Sequence, residues 1–424
     1  MIAKKHKMRN FIRRTKLIVM ITKDRIWELA HRTLKETQDI FKHLHEYPEL
    51  AFHEVETSRF VRQELMKLDI PFREGYAQTG LLGVLRCQDP QSRIVAIRAD
   101  MDALPIEENT NLPYGSKNKG VMHACGHDAH TATLLGVAKI LASLKEELNG
   151  TFLFIFQPAE ERYPGGANTM LRENVFAGFT PDLILGLHVI PSIKMGQVGF
   201  RPGLITASSD GIQITVKGKG GHAALLKGNN AILAASNMLL KLQTIPNELA
   251  PVKDETILAF GRFIANGARN VIPESVKIDG TLRTLDPNWR RKIFELIGKI
   301  ATEAVEEYGC SCQVEIDHGY PSVMNDEALN ARAEGYAQEL LGEENVTTFE
   351  KRMTGEDFGY FSQKYPSLFF RVGIGSDRFD CGKLHTSSFI VNPEALLTST
   401  ATMTWLAIQF ISEKKENQQN TLTR

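Results

Sequence analysis

An apolar run, Thr151-Phe-Leu-Phe-Ile-Phe156, leads directly into the polar segment Gln157-Pro-Ala-Glu-Glu161. Consecutive apolar, aromatic and β-branched residues ahead of a proline predict a strand that is buried on both faces. Open α/β sheets carry their chemistry at the carboxyl ends of such strands. The two glutamates, Glu160 and Glu161, therefore lie where a functional site is expected, and adjacent carboxylates can divide metal binding from proton transfer.

Similar apolar runs occur before and after this strand in the sequence, and predicted helices lie between several of them. Strands are predicted at 80–85, 93–97, 183–187 and 367–372, and helices at 24–44, 53–68, 131–144, 330–341 and 393–410. This alternation predicts an α/β fold in which helices cover both faces of one sheet.

Between residues 204 and 321 the order changes to strand, helix, strand, strand, helix, strand. This βαββαβ order predicts a separate ferredoxin-like module that is inserted into the first domain. The predicted division is a disordered basic extension (1–23), a catalytic domain in two parts (24–203 and 322–411), the insert (204–321) and a polar tail (412–424).

The length and composition are those of a globular enzyme. A chain of 424 residues exceeds what one core usually holds, so two domains are expected. Fifty basic residues balance 50 acidic ones, which gives no electrostatic reason to expect nucleic acid or an anionic membrane as partner. Five cysteines, an odd number, favour a reducing compartment, and we predict a cytoplasmic protein. The apolar run at 17–21 is too short to span a membrane, and no other stretch is predicted to do so.

A dense cluster of metal-ligand residue types, Met122-His-Ala-Cys-Gly-His-Asp-Ala-His130, precedes a predicted helix. Cys125 and His127 are two residues apart, so in an extended or turning segment both side chains can reach one cation. A lone cysteine is more often a small buried hydrophobic residue, and that alternative stays open for Cys125. His123 and His130 are interpreted as polar residues that support ligands.

Residues of ligand type also follow other predicted strands. They are His188 after 183–187, Asp100 and Asp102 after 93–97, and His385 in the loop after 367–372. Any one of these residues alone would carry little weight. Because the carboxyl ends of parallel strands meet at one edge of a sheet, the whole set predicts a shared metal site.

Several motifs occur in the order in which they stand in a known group of enzymes. They are His45-Glu-Tyr-Pro-Glu-Leu50, Arg98-Ala-Asp-Met-Asp-Ala-Leu-Pro105, Met122 to His130, Gln157 to Glu161, Gly186-Leu-His188, Gly280-Thr-Leu-Arg283 and Gly355-Glu-Asp-Phe358. Together they resemble the aminoacylase and hippurate hydrolase group of dinuclear metallopeptidases. The resemblance spans about residues 24–410 and implies a mixed-sheet, three-layer catalytic domain, with the insert serving as lid and dimerisation domain.

The resemblance also implies two divalent metal ions per subunit, zinc or manganese first, with nickel or cobalt as alternatives. It implies the following roles: Cys125, His127, Glu161, His188 and His385 as metal ligands, Glu160 as general base, Asp100 as support for the metal site, and His222, Asn270 and Arg283 as substrate contacts. The chain departs from the group after Gly221-His-Ala223 and after His385, beside the expected substrate pocket. These departures leave the acyl group undetermined.

The predicted function is hydrolysis of the amide bond of an N-acylated amino acid, such as an N-acetyl or N-benzoyl derivative, by a metal-activated water. A dipeptidase or aminopeptidase is the alternative within the same chemistry, and it would need an acidic group to bind a free α-amine. A catalytically silent binding protein on the same fold is the alternative of another class, which the presence of Glu160 disfavours. The predicted partners are the small substrate and, through the lid domain, a second copy of the chain.

Overall fold

The computed structural model of the protein describes residues 21–225, 228–252, 255–377 and 380–413. The strands, in chain order, are β1 (Phe72–Tyr76), β2 (Gly80–Arg86), β3 (Ile94–Asp100), β4 (Thr151–Gln157), β5 (Leu183–Lys194), β6 (Val198–Phe200), β7 (Gly203–Leu204), β8 (Ser209–Lys217), β9 (Gly221–His222), β10 (Thr256–Ile264), β11 (Val271–Ile272), β12 (Ser275–Thr284), β13 (Ser311–Tyr320), β14 (Met324–Asn325), β15 (Val346–Thr348) and β16 (Ser367–Gly375). The helices are α1 (Lys23–Glu46), α2 (Val55–Lys67), α3 (His127–Ser143), α4 (Gly166–Arg172), α5 (Ala231–Leu242), α6 (Pro287–Glu306), α7 (Glu327–Leu341), α8 (Gly359–Ser362) and α9 (Ala395–Ser412).

The larger sheet has eight strands in the order β1-β2-β4-β3-β5-β16-β6-β15. Its central strands, β4, β3, β5 and β16, are parallel, whereas β2 runs antiparallel to β4 and β6 antiparallel to β16. The sheet is therefore mixed. Its middle joins distant parts of the chain, because β5 pairs directly with β16.

Both faces of this sheet are covered. Along β4, Phe152, Phe154 and Phe156 belong to the core that includes residues of α1, α3, α7 and α9. Leu153 and Ile155 belong to a second core on the opposite face, which includes residues of α4 and α8. Successive strand residues point to opposite faces, so an unbroken apolar run is what a strand between two helical layers requires.

The insert forms a four-stranded antiparallel sheet of its own, in the order β10-β12-β8-β13. Helices α5 and α6 pack against it and share a separate core with its strands. The order along the chain is β8, α5, β10, β12, α6, β13, which is the predicted βαββαβ pattern. The two connections to the larger sheet lie side by side, because β7 pairs with β14.

The expected basic extension (1–23) and polar tail (412–424) lie outside the described residues except at their inner ends. Lys23 is the first residue of α1 and Ser412 is the last residue of α9. Each helix therefore reaches slightly further than the sequence indicated.

Helix α9 differs from the expectation that no stretch reaches membrane-spanning length. Among the described residues it is the one helix that is long and apolar enough to cross a membrane, with a mean hydropathy of 1.2 over 18 residues. However, 83% of that window is buried inside the protein. Its apolar side chains fill the core beneath the larger sheet, which is sufficient to explain its composition.

Two elements near the predicted site also differ from the sequence-based expectation. Helix α3 begins at His127, four residues before the predicted start, because Gly126 with φ 87° ends the preceding loop. The polar residues of its first turn hide the apolar pattern that marks the rest of the helix. Strand β5 runs to Lys194, so His188 lies within the strand rather than at its end.

Candidate metal centre and active site

A cavity of about 800 Å³ lies between the larger sheet and the insert. Residues that follow β4, residues of β5 and the loop at 384–385 form one wall, and residues of β8, β10, β12 and β13 form the opposite wall. Most of the ligand-type residues that the sequence singled out meet here. Cys125, Glu160, Glu161, His188 and His385 all line the cavity.

Cys125 lies at the centre of these residues. Its Sγ is 3.4 Å from Nε2 of His188 and 3.3 Å from Nε2 of His385. His385 Nε2 is also 3.0 Å from Oε1 of Glu161. Cys125 therefore belongs to two overlapping groups of ligand atoms, one with His127 and His188 and one with Glu161 and His385.

The loop around Cys125 requires a glycine. Gly126 has φ 87°, and a Cβ at this position would lie 2.4 Å from Cγ2 of Val189. This close approach of the loop to β5 places Cys125 beside His188, and it lets α3 begin with His127. Asp128, in the first turn of α3, accepts a 2.6 Å hydrogen bond with Nδ1 of His45, which ties α3 to α1.

Two histidines are oriented as metal ligands are. Nδ1 of His127 lies 2.9 Å from the backbone oxygen of Asp102, and Nδ1 of His188 lies 2.6 Å from the backbone oxygen of Val189. An Nδ1–H that donates to a carbonyl leaves the lone pair of Nε2 free for a cation. Nε2 of His127 is buried and forms no hydrogen bond with a described residue. Thiolate, imidazole and carboxylate donors arranged in this way fit divalent metal ions.

Glu160 is buried beside these residues on a rigid loop. The backbone N–H groups of Glu160 and Glu161 both donate to the carboxylate of Asp102, each at 2.9 Å. The hydroxyl of Tyr320, from the end of β13, donates to the backbone oxygen of Glu160 at 2.8 Å. Burial, together with the nearby carboxylates of Glu356 and Glu161, holds the pKa of Glu160 well above its usual range.

Asp100 is fully buried and lies beside two buried histidines, His127 and His130. Its Oδ1 is 2.6 Å from Nδ1 of His130, and its Oδ2 is 3.8 Å from Nε2 of His127. Nε2 of His130 accepts the N–H of Val189 at 3.0 Å. Both ring nitrogens of His130 are thus engaged, which agrees with its interpretation as a supporting residue.

Arg98 lies at the base of the site and binds several acidic groups. It is fully buried and donates to Asp100 at 2.6 Å, to Glu356 at 3.1 Å and to Asp357 at 2.9 Å. Its Nε also donates to the side-chain oxygen of Gln157 at 2.8 Å. Burial raises the pKa of Asp357 to about 8, against the opposing effect of Arg98. One guanidinium thus holds together β3, β4 and the 356–357 turn.

A comparison with known families identifies the chain. Peptidase family M20/M25/M40 matches residues 96–408, which include most of β3, the cavity residues and the whole insert. The chain belongs to this family.

Individual M20 relatives agree with this assignment. IAA-amino acid hydrolase ILR1-like 4 of Arabidopsis thaliana is 36% identical over 401 residues, which cover 92% of this chain and 90% of that protein. N-acetyl-L-cysteine deacetylase of Bacillus subtilis is 34% identical over 367 residues, 86% of each chain. A solved Bacillus subtilis structure, described as a dinuclear metal binding peptidase from the M20 family, has a TM-score of 0.79 at 32% identity and covers 90% of this chain and 99% of that one.

Membership of the M20 family confirms the predicted resemblance and the class of metal-dependent amidohydrolase. The α/β fold with its inserted βαββαβ module is confirmed by the same likenesses and by the strand order. The metal-binding prediction is supported by the donor groups at the cavity.

Two of the substrate contacts implied by the resemblance lie away from this cavity. His222, on β9, is exposed, and its strand neighbour is Val271 on β11. Asn270 accepts the N–H of Ala223 through its backbone oxygen, so it lies beside His222. Arg283, on β12, lines the cavity as expected. The single chain therefore brings Arg283, but not His222 or Asn270, to the cavity.

Three residues that shape this site, Glu356, Asp357 and Arg371, had no role predicted from the sequence. Glu356 and Asp357 lie within the quoted motif Gly355-Glu-Asp-Phe358, so two adjacent acids inside a motif of the resemblance were a usable signal. Arg371 also lines the cavity, on β16. A single arginine in an apolar strand, Leu368-Phe-Phe-Arg371, was the available signal there.

Proposed function

We propose that the protein hydrolyses the amide bond of N-acylated amino acids. The observation that carries this proposal is that buried Glu160 lines one cavity with Cys125, Glu161, His188 and His385, while Nε2 of His127 lies 3.9 Å from Oε2 of Glu160. The names of the M20 relatives, an IAA-amino acid hydrolase and an N-acetyl-L-cysteine deacetylase, support the same substrate class. A cytoplasmic location is supported by the odd number of cysteines, five, of which Cys87, Cys125, Cys310 and Cys312 are free.

Two divalent metal ions complete this proposal. The proposed ligands are Cys125, His127, Glu161, His188 and His385. When bound, such ions lower the pKa of a water molecule and polarise the amide carbonyl. The thiolate favours zinc, whereas the imidazole and carboxylate groups also suit manganese, nickel or cobalt.

Glu160 acts as the general base in the proposed reaction. It takes a proton from the attacking water and passes that proton to the leaving amine, which must be protonated to depart. A carboxylate whose pKa is raised can hold the proton between these two transfers. The Glu160 N–H donates to Asp102 and its backbone oxygen accepts from the Tyr320 hydroxyl, so the Glu160 backbone stays in place throughout the reaction.

Arg283 binds the α-carboxylate of the amino-acid half in this proposal. Its guanidinium is half-buried at the cavity wall formed by the insert, and a planar fork of donors matches a carboxylate. An aminopeptidase needs a carboxylate that is available to bind the free ammonium group of its substrate. The carboxylates that line this cavity are already used: Glu160 and Glu161 have the roles proposed here, and Glu356 is paired with Arg98. This arrangement disfavours an aminopeptidase.

A panel assay tests the substrate class. Metal-reconstituted protein is incubated with N-acetyl, N-benzoyl and indole-acetyl amino acids beside unblocked dipeptides. Hydrolysis of the acylated compounds alone is the expected result. Cleavage of dipeptides, with the acylated compounds untouched, would replace the proposal with a peptidase.

Replacing Cys125 with alanine should remove metal as well as activity. The thiolate supplies a negative charge that no neutral neighbour replaces, so metal affinity falls with it. Elemental analysis of purified protein measures the metal content per chain. Cys310→Ala is a matched control, since Cys310 is also buried but belongs to the core of the insert. Unchanged metal content in Cys125→Ala would remove this residue from the ligand set.

His222 is proposed to act in the active site of a partner subunit. In its own chain it is exposed and does not line the cavity, whereas a dimer formed through the inserts would bring it to another cavity. The inserts offer an apolar surface for pairing, since Leu233 and Leu240 on α5 and Phe263 on β10 are exposed.

Subunit exchange tests this shared site. Glu160→Ala and His222→Ala proteins, each inactive alone, are mixed and allowed to exchange. Random pairing makes half the dimers mixed, and one of two sites in each then has both residues intact, so activity should return to about a quarter of the wild-type value. No recovery after verified exchange would place His222 outside the partner's site.

A further inference from the structure

Arg371 is a buried arginine at the cavity of the proposed site. It is 5% exposed, and it pairs in parallel register with His188. Paired residues of neighbouring parallel strands project from the same face of a sheet, so the Arg371 side chain lies beside a proposed metal ligand. The rings of Phe349 and Phe369 lie 5.7 and 5.2 Å from its guanidinium carbon and hold the group by cation–π contacts.

This guanidinium has no carboxylate partner among the described residues. Its Nε is buried and forms no hydrogen bond with them. Two other arginines are paired, the buried Arg98 with three carboxylates and the partly buried Arg290 with Asp210. A buried cation that forms no salt bridge is costly, and Glu356, the carboxylate whose charge acts most strongly on Arg371, is already paired with Arg98. The side chain is therefore poised for an anion that enters the cavity.

Two more arginines line the same cavity, Arg283 and Arg352. Neither forms a salt bridge with a described carboxylate, and Arg352 donates to the hydroxyl of Ser192 at 3.3 Å. One α-carboxylate occupies one guanidinium fork. A substrate with a single carboxylate would thus leave unpaired cations inside the cavity.

We infer that Arg371 binds a second carboxylate of the substrate, so that the preferred substrates are N-acyl amino acids with two carboxylate groups. The inference rests on the proposed hydrolysis of N-acyl amino acids and specifies its substrate. The second carboxylate belongs either to the amino-acid side chain or to the acyl chain, and both sources present the same group to the guanidinium.

Two pairs of compounds test the inference, each pair differing by one carboxylate that is replaced with an amide. N-acetyl-L-glutamate is compared with N-acetyl-L-glutamine, and N-succinyl-L-leucine with N-succinamoyl-L-leucine. In metal-loaded protein, kcat/KM should favour the dicarboxylate by about tenfold or more in one of the pairs. That pair identifies which half of the substrate carries the second carboxylate. Arg371→Met should reduce this preference to near one.

Binding to protein that carries Glu160→Gln gives a second measurement without turnover. Calorimetry should show the same preference for the dicarboxylate in the dissociation constants of Glu160→Gln protein. This preference should be lost when Arg371→Met is added to Glu160→Gln. Arg93→Met is the matched control, since Arg93 is also largely buried but pairs with Glu413 away from the cavity. This control should leave both ratios unchanged.

Three results would overturn the inference. The first is equal binding of both members of each pair, and the second is a preference that survives Arg371→Met. The third is that Arg371→Met weakens binding and kcat/KM equally for both members of a pair. The last would mean that Arg371 acts on a group that all substrates share. The proposed function fails separately, if metal-loaded wild-type protein hydrolyses none of the four compounds. In that case the calorimetric comparison in Glu160→Gln protein still decides whether Arg371 binds a second carboxylate.

Discussion

Glu160→Gln protein should retain its metal and bind substrate, while turnover falls by about two orders of magnitude or more. Glutamine keeps the shape of the side chain but cannot accept the proton of the attacking water. The backbone at this position is held by Asp102 and Tyr320, and neither contact involves the Glu160 carboxylate. The loop should therefore keep its conformation, and the loss should appear in kcat rather than in KM.

Steady-state kinetics together with elemental analysis separates these effects. Glu107→Gln makes the same chemical change at an exposed glutamate that does not line the cavity, and it should leave kcat unchanged. Near-normal turnover by Glu160→Gln protein would remove this residue as the base. Loss of metal from the variant would instead make Glu160 a ligand.

Arg98→Met should reduce the free energy of unfolding of the metal-free protein by about 3–5 kcal/mol, the usual cost of breaking a buried ion pair by removing one partner. The substitution leaves Asp100, Glu356 and Asp357 buried without their shared cation. Urea denaturation measures the loss. Arg98→Lys keeps the charge but cannot donate to three carboxylates and Gln157 at once, so an intermediate loss is expected.

The pH dependence of this loss is a further check on its cause. Burial opposes ionisation of Asp100, but Arg98 and the neighbouring histidines hold its pKa well below the usual range. A lowered folded-state pKa stabilises the protein above the unfolded value of about 4, and this contribution disappears as the pH falls through the folded value. The difference between wild-type and Arg98→Met protein should therefore shrink in acid. A difference that is independent of pH would indicate lost packing rather than lost charge pairing.

Several parts of this site could be predicted from the sequence because they depend on local signals. The apolar run before Glu160 and Glu161 predicts a buried strand, and in open α/β sheets functional residues lie at the carboxyl ends of such strands. The cluster at 122–130 places Cys125 and His127 within two residues of each other. Neither signal requires knowledge of contacts between distant segments.

Other parts depend on pairings between distant segments, which a single sequence does not reveal. Glu356 and Asp357 lie 258 and 259 positions from Arg98, so nothing local links them. The pairing of Arg371 with His188 follows only from the register of β16 beside β5. The position of His222 depends on how the insert sits against the larger sheet, which hydrophobic periodicity does not encode.

The pairing of β5 with β16 has a consequence for how the protein is made. Synthesis proceeds from the amino terminus, so β5 leaves the ribosome long before β16. In that interval the whole insert is synthesised, and one side of β5 displays unpaired backbone groups, a template for aggregation. His385, 260 residues after Cys125, emerges later still. The nascent chain therefore passes through a stage in which the insert, which has a core of its own, is complete while the central sheet still has an open edge. We expect chaperones to bind the nascent chain most at that stage.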